Sequence, residues 1–138
     1  PEELRPQPGD YTIIKPRWSA FFGTELDLIL RRLGVRTVIL TGTTTPNCVR
    51  TTCYDANALD YNVVVVEDCC SSQTEDIQRA NIADMARMGA LIMSESEFES
   101  YDETTVEDMA EVIREREARN GFMPEPFDEH SAGWPDLW

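Results

Sequence analysis

The chain has 138 residues, of which 41% are hydrophobic and 28% are charged, which is typical of one folded domain with an apolar core. Its four cysteines form no CxxC pair, so a metal site is not expected. A net charge of -14 opposes binding to nucleic acid. No apolar run approaches the ~20 residues of a membrane span, and the N-terminal stretch does not resemble a signal peptide. We therefore expect a cytoplasmic protein that binds neither nucleic acid nor membrane.

The first half of the chain alternates between predicted strands and helices. Residues 11–15, YTIIK, form a β-branched run that predicts a short strand ending at Lys15. Thr24 is a candidate cap for a helix that Gly34 ends. Residues 35–42, VRTVILTG, predict a second, buried strand. The apolar residues of the predicted helix recur at helical spacing: Leu26, Ile29, Leu30 and Leu33.

The alternation continues towards residue 94. Residues 45–59 predict a helix, and residues 61–68, YNVVVVED, predict a third strand. A helix over residues 74–89 and a fourth strand, ALIMS, over residues 90–94 follow. Apolar strands that alternate with helices are typical of a parallel sheet with both faces covered. We therefore predict an α/β fold with three layers, α/β/α.

The composition changes after this alternation. An acidic helix is predicted beyond Glu95, with Thr104 and Glu107 as a capping box, and an aromatic tail follows it. The tail is too apolar to be free, so we expect it to lie across its own domain or a neighbouring subunit. These features divide the chain into a domain over residues 1–98 and a C-terminal region over residues 99–138. They also favour a homo-oligomer.

The turn before Cys48 is crowded with residues that favour turns and helix starts. In residues 41–52, TGTTTPNCVRTT, Gly42 permits a sharp turn, Thr45 is a candidate N-cap and Pro46 suits the first helical position. Cys48 is thereby placed in the first turn of a helix, where unpaired N–H groups and the helix dipole favour a thiolate and can bind an oxyanion. The alternative is that Cys48 is a small buried helix residue.

Lys15 and the other cysteines allow similar alternatives. A lysine at the end of a strand is usually surface-seeking, but at the carboxyl end of a parallel strand Lys15 would share a rim with Cys48. Cys53 lies one helical turn further on and is expected to pack in the core. Cys69 and Cys70 are expected to be structural rather than reactive.

The motifs occur together in one order: a strand ending in lysine, an SAF-x-GT-x-L link, a G-x-x-T-x-x-C-V turn, a T-x-x-DA helix and a V-x-x-x-D strand end. In this order and spacing, residues 1–98 resemble the isochorismatase-like cysteine hydrolases. That family includes nicotinamidases, N-carbamoylsarcosine amidase, ureidoacrylate and biuret hydrolases, and isochorismatase. The resemblance implies a Rossmann-like α/β fold and a hydrolase. We expect no cofactor, because the turn before Cys48 offers a thiolate and an oxyanion site but no cofactor loop.

The resemblance also implies roles for individual residues. Cys48 matches the nucleophile and Lys15 the lysine of an Asp-Lys-Cys triad. The backbone N–H groups of Thr44 and Cys48 match the oxyanion hole, and Thr43–Thr44 matches a cis peptide bond. The implied reaction cleaves a C–N bond of a small amide, ureido or carbamoyl compound through a thioester.

The aspartate of the triad has no counterpart that the sequence supports. In the family it ends a strand upstream of the lysine, and the acids before Lys15, which are Glu2, Glu3 and Asp10, do not end apolar strands. We expect an upstream N-terminal segment to supply it. Two alternatives remain: a catalytically inactive scaffold, and a vinyl ether hydrolase of the isochorismatase type.

The link after Lys15 offers candidate substrate contacts. The motifs are closest to the ureidoacrylate and biuret hydrolase branch. Trp18 and Phe21 are candidate pocket walls, and Arg17 could pair with a substrate carboxylate. The alternatives are aromatic packing over the sheet edge and an ordinary surface arginine.

Overall fold

The computed structural model describes residues 5–101. The chain divides into two compact units, Pro1–Ser100 and Tyr101–Trp138, and the described elements all lie in the first. The predicted acidic helix and the aromatic tail lie outside the described residues, as does the predicted capping box. The elements are α1 (Leu26–Arg32), β1 (Thr37–Thr43), a π-helical turn (Thr45–Val49), α2 (Arg50–Ala58), β2 (Asn62–Ser71), α3 (Glu75–Arg87), β3 (Leu91–Met93) and α4 (Glu95–Glu99).

The three strands form one parallel sheet in the order β1-β2-β3. Val38 pairs with Val63 on one side of β2, and Val65 pairs with Ile92 on the other. Parallel neighbours require crossover connections, which α2 and α3 provide. The predicted α/β class with a parallel sheet is confirmed.

Both faces of the central strand are buried. Val63 and Val65 belong to a core cluster that also contains Cys53 and Ala56 of α2 and Met85 of α3. Val64 and Val66, which alternate with them and therefore point to the opposite face, are each only 2% exposed. Burial on both faces explains why β2 reads as a continuous run of valines.

β2 extends beyond the predicted end at Asp68 because it contains an irregularity. Leu40 pairs with Val65, whereas Gly42 pairs with Cys70, so two steps along β1 correspond to five along β2. The additional residues, 67–69, are exposed, and pairing resumes afterwards. The carboxylate of Asp68 accepts a hydrogen bond from the backbone N–H of Glu95 at 2.8 Å. The bulge therefore directs an acidic side chain to the start of α4.

The predicted strand over residues 11–15 is wrong. These residues form neither helix nor strand, and Ile14 is 91% exposed. A β-branched run becomes a strand only when a neighbouring strand accepts its backbone hydrogen bonds, and none of the described residues does so. Lys15 is therefore placed by side-chain contacts rather than by a sheet.

Helix ends agree with prediction in most places. Gly34 and Gly89, with φ of 70° and 97°, follow α1 and α3 as expected. The hydroxyl of Thr24 accepts the N–H of Leu26 at 3.3 Å, although the residue that directly precedes α1 is Glu25. The predicted fourth strand ends at Met93, because Ser94 caps α4 in a capping box that the S-x-x-E pattern could have indicated.

An ion-pair cluster ties α2 to α3. The guanidinium of Arg50 lies 2.7 Å from the carboxylate of Asp84, which also accepts the hydroxyl of Tyr54 at 2.7 Å. The hydrogen bonds from Tyr54 and then Arg50 lower the pKa of Asp84. Arg50 is two residues beyond Cys48, so this cluster anchors the beginning of α2.

Candidate active site

Cys48 lies in the π-helical turn that connects β1 to α2. The N–H of Val49 donates to the carbonyl of Thr44 at 3.4 Å, and the N–H of Arg50 reaches the carbonyl of Thr45. Each of these bonds spans five residues, which widens the turn relative to an α-helix. The prediction that Cys48 lies in the first turn of a helix is confirmed.

The cap of this turn differs from the prediction. Thr44, rather than Thr45, is the N-cap residue, so Pro46 occupies the second helical position. Thr45 is 0% exposed, and its hydroxyl donates to the carbonyl of Ser71 at 3.1 Å. Thr45 is therefore the first residue of the helical turn, and its side chain is directed to the end of β2. The Thr43–Thr44 peptide bond is cis, as the resemblance implied.

The ammonium of Lys15 contacts the thiol of Cys48. Its Nζ lies 3.3 Å from the Cys48 Sγ, and it donates to the carbonyls of Arg17 and Trp18 at 3.0 Å each. These contacts match the three N–H donors of an ammonium group. A cation held beside sulfur favours the thiolate, which is the nucleophilic form.

The loop that follows Lys15 is fastened to α2. The N–H of Ala20 donates to the hydroxyl of Thr52 at 3.0 Å, and the carbonyl of Ala20 accepts the hydroxyl of Thr24 at 2.5 Å. Ser19 is 2% exposed and Thr52 is 7% exposed. The segment that supplies two acceptors to Lys15 is therefore anchored in the interior.

The three predicted pocket residues occupy different environments. Trp18 is 62% exposed. The ring of Phe21 stacks on Tyr61, with a centroid distance of 5.8 Å, and packs against the core cluster. The guanidinium of Arg17 donates to the carbonyl of Pro16 at 2.9 Å. The contact with Lys15 is made by the backbone carbonyls of Arg17 and Trp18, which residue types alone could not indicate.

The other cysteines are in less reactive environments. Burial raises the pKa of Cys53 to about 11, and Cys53 is 1% exposed. Burial also raises the pKa of Cys70. Cys69 is exposed, but local desolvation and the nearby carboxylates of Glu95 and Asp68 raise its pKa. Low reactivity is therefore expected for all three thiols.

Comparison with known proteins identifies the family of this chain. The family model of the isochorismatase domain matches residues 2–97. The chain belongs to the isochorismatase family. The probable inactive nicotinamidase At3g16190 of Arabidopsis thaliana is 48% identical over 81 residues, which cover 58% of this chain and 41% of the relative. Ureidoacrylate amidohydrolase RutB of Pantoea ananatis is 40% identical over 98 residues, which cover 70% of this chain and 39% of the relative.

Similarity to a solved structure indicates the same family. An isochorismatase family protein from Desulfovibrio vulgaris superposes with a TM-score of 0.68 at 46% identity. The match covers 70% of this chain and 51% of the neighbour. This isochorismatase-family chain therefore spans about half of that structure and about two fifths of the two curated relatives.

Three further features of this isochorismatase-family chain concern a cavity, metal binding and membrane spans. An open cavity of about 360 Å³ lies between the end of β2 and the start of α3, and its lining contains none of the predicted site residues. Within residues 5–101, no cluster of His, Cys, Asp and Glu could hold a metal ion. In the same part of the chain, no helix combines the length and apolar character needed to cross a membrane.

Proposed function

We propose that this chain is the cysteine-bearing part of an amidohydrolase that cleaves a C–N bond in a small amide, ureido or carbamoyl compound. The observation that carries the proposal is the 3.3 Å contact between the Lys15 Nζ and the Cys48 Sγ at the start of a helix. Ureidoacrylate amidohydrolase, a relative at 40% identity, supports the reaction class.

The proposed reaction begins with attack of the Cys48 thiolate on the substrate carbonyl carbon. The resulting oxyanion would be stabilised by the backbone N–H groups of Thr44 and Cys48. Collapse of this intermediate breaks the C–N bond and leaves a thioester, while the departing nitrogen takes up a proton. Water then attacks the thioester, which releases the acid and restores the thiol.

A proton carrier is needed for both steps. The amino group of Lys15 directs its donors to two carbonyls and to sulfur, so it would hold the thiolate rather than accept its proton. Asp10 is the acid before Lys15 that lies within the described residues, and its carboxylate is engaged in a local turn, where it accepts the N–H of Gln7 at 2.7 Å. We propose that the proton carrier is an aspartate in a part of the fold outside these 138 residues.

The substrate contacts remain those proposed from the sequence. The indole of Trp18 is the best candidate for a pocket wall because it is exposed next to Lys15. Phe21 would act mainly through its packing on Tyr61, and Arg17 could release Pro16 to pair with a substrate carboxylate. We also propose that the whole enzyme is a cytoplasmic homo-oligomer that needs no cofactor, nucleic acid or membrane.

The experiment that tests the function is ammonia release by a form extended at its N-terminus to the length of the relatives. The substrates are nicotinamide, ureidoacrylate, biuret, maleamate and carbamoyl amino acids, and Cys48→Ala is the control. We expect turnover of at least one compound and none by the variant. Absence of turnover across the series in a folded, extended protein would contradict the proposal.

A second candidate is a catalytically inactive scaffold. The probable inactive nicotinamidase of Arabidopsis, at 48% identity, favours it. The two candidates differ in the reactivity that they need at Cys48. An amidohydrolase needs a Cys48 thiol that is alkylated faster than the other cysteines, whereas an inactive scaffold does not. An extended protein with a reactive Cys48 and measurable turnover would exclude the scaffold.

A further inference from the structure

We infer that Thr52 is a positioning residue that keeps the ammonium of Lys15 against the thiol of Cys48. The inference rests on the proposed function, because it concerns the same pair of groups. It assigns a role to a buried hydroxyl that contacts neither group directly. Thr52 acts through the loop that begins at Lys15.

The first step of the argument concerns how Lys15 is placed. This lysine belongs to no strand, so the sheet does not place its side chain. Two of its acceptors are the carbonyls of Arg17 and Trp18, which immediately follow it in the chain. The position of the ammonium therefore depends on the path of the backbone through residues 16–19.

The second step concerns what holds that backbone. Ala20 is bonded on both sides: its N–H donates to Thr52 at 3.0 Å and its carbonyl accepts from Thr24 at 2.5 Å. The bond to Thr24 is local, whereas the bond to Thr52 spans 32 residues. Among the hydrogen bonds described for this loop, the bond to Thr52 therefore ties the loop to α2, the helix that directly follows the turn holding Cys48.

The third step concerns the position of Thr52 itself. Thr52 follows Cys48 by four residues, so both side chains project from the same side of one helical segment. Thr52 is 7% exposed, and its hydroxyl has little freedom to move. One rigid segment thus carries the nucleophile and also the group that holds the lysine loop.

The test uses alkylation of Cys48 in the form extended at its N-terminus to the length of the relatives, which is also the form used for the test of ammonia release. Thr52→Val removes the acceptor and keeps the shape of the side chain. We expect the rate of iodoacetamide labelling at Cys48 to fall about tenfold at pH 7 and its pH dependence to move to higher pH. Peptide mapping by mass spectrometry measures the rate at each pH.

Two further variants separate positioning from general destabilisation. Thr52→Ser keeps the hydroxyl and is expected to restore the wild-type rate and pH dependence. Thr51→Val removes a neighbouring hydroxyl that donates to the carbonyl of Asn47 at 2.6 Å, four residues earlier, and that makes no described contact with the lysine loop; this variant is expected to label as wild type. Circular dichroism confirms that each variant is folded before labelling.

Lys15→Met distinguishes failure of this inference from failure of the proposed function. If Lys15→Met labels slowly and folded Thr52→Val labels as wild type, the role of Thr52 is wrong and the proposed function stands. If Lys15→Met itself labels as wild type, the lysine does not activate Cys48, and both are wrong. If Thr52→Val and Thr51→Val are slowed equally, the effect is not specific to the loop and the inference is also overturned.

Discussion

The Nζ of Lys15 lies 3.3 Å from the Sγ of Cys48, although the two residues are 33 positions apart in the chain. Cys48 is placed by the helical turn after β1, whereas Lys15 is placed by the carbonyls of its own loop. The pair is therefore formed by two segments that are distant in the chain and are linked by the hydrogen bond from Ala20 to Thr52. The proposed chemistry depends on that contact.

Selective alkylation of Cys48 is the first prediction. Iodoacetamide at pH 7 should label Cys48 well before the other three thiols. For Cys53, a pKa of about 11 leaves only about one molecule in ten thousand as thiolate at this pH, and burial limits access further. Time-resolved peptide mapping measures the order, and equal rates at several cysteines would remove Cys48 from the mechanism.

The ion-pair cluster between α2 and α3 gives a prediction about stability and pH. Tyr54 and Arg50 lower the pKa of Asp84, so its contribution is complete above the ordinary carboxyl pKa of about 4 and is lost as the pH falls through the lower folded value. Asp84→Asn should therefore lower the midpoint of thermal unfolding at pH 7. The difference from wild type should shrink below about pH 4.

The control for this variant is Asp76→Asn on the same helix. Asp76 is 87% exposed in its pair with Arg79, and surface pairs of this kind contribute little. Thermal unfolding followed by circular dichroism compares the two variants at pH 7 and pH 3. Equal destabilisation by both at pH 7 would show that the cluster does not anchor α2.

Two methionines near the end of α3 give a prediction about the stability of the core. Met85 is 0% exposed in the core cluster, so Met85→Ala should reduce the free energy of unfolding by about 2–5 kcal/mol. Met88, three residues later, is 40% exposed, and Met88→Ala should change it by about 0.5 kcal/mol or less. Urea denaturation measures both values. Similar losses in the two variants would contradict the position of the core.

The edge of the sheet gives the last prediction. Among residues 5–101, β1 pairs only with β2, and Ile39 on β1 is 44% exposed. An apolar edge strand of this kind favours association. We therefore expect the 138-residue chain alone to be inactive and to self-associate, as measured by light scattering and ammonia release.

Addition of the upstream segment, fused or as a separate polypeptide, should restore turnover and reduce non-specific association. Changing the aspartate that ends its strand to asparagine should abolish turnover and leave the fold intact. A monomeric and fully active preparation of these 138 residues would instead show that an acid within the chain completes the site.

The sequence by itself determined the features that depend on neighbours along the chain. The alternation of strands and helices, the glycine ends of α1 and α3, and the position of Cys48 in a first helical turn all follow from periodicity and turn chemistry. The family motifs added Lys15 as the partner of Cys48. The properties that follow from periodicity and turn chemistry are local, so composition and spacing were enough for them, whereas the pairing of Lys15 with Cys48 was implied only by the family resemblance.

Only the tertiary structure decided the features that join distant segments. Residues 11–15 have a high propensity for a strand, but they have no strand partner among the described residues. They therefore do not form a strand, because a strand depends on pairing and burial as well as on propensity. The bulge in β2 and the bond from Ala20 to Thr52 depend on contacts between residues far apart in the chain. Such contacts leave no periodic pattern in the sequence, because each is set by the packing of one segment against another.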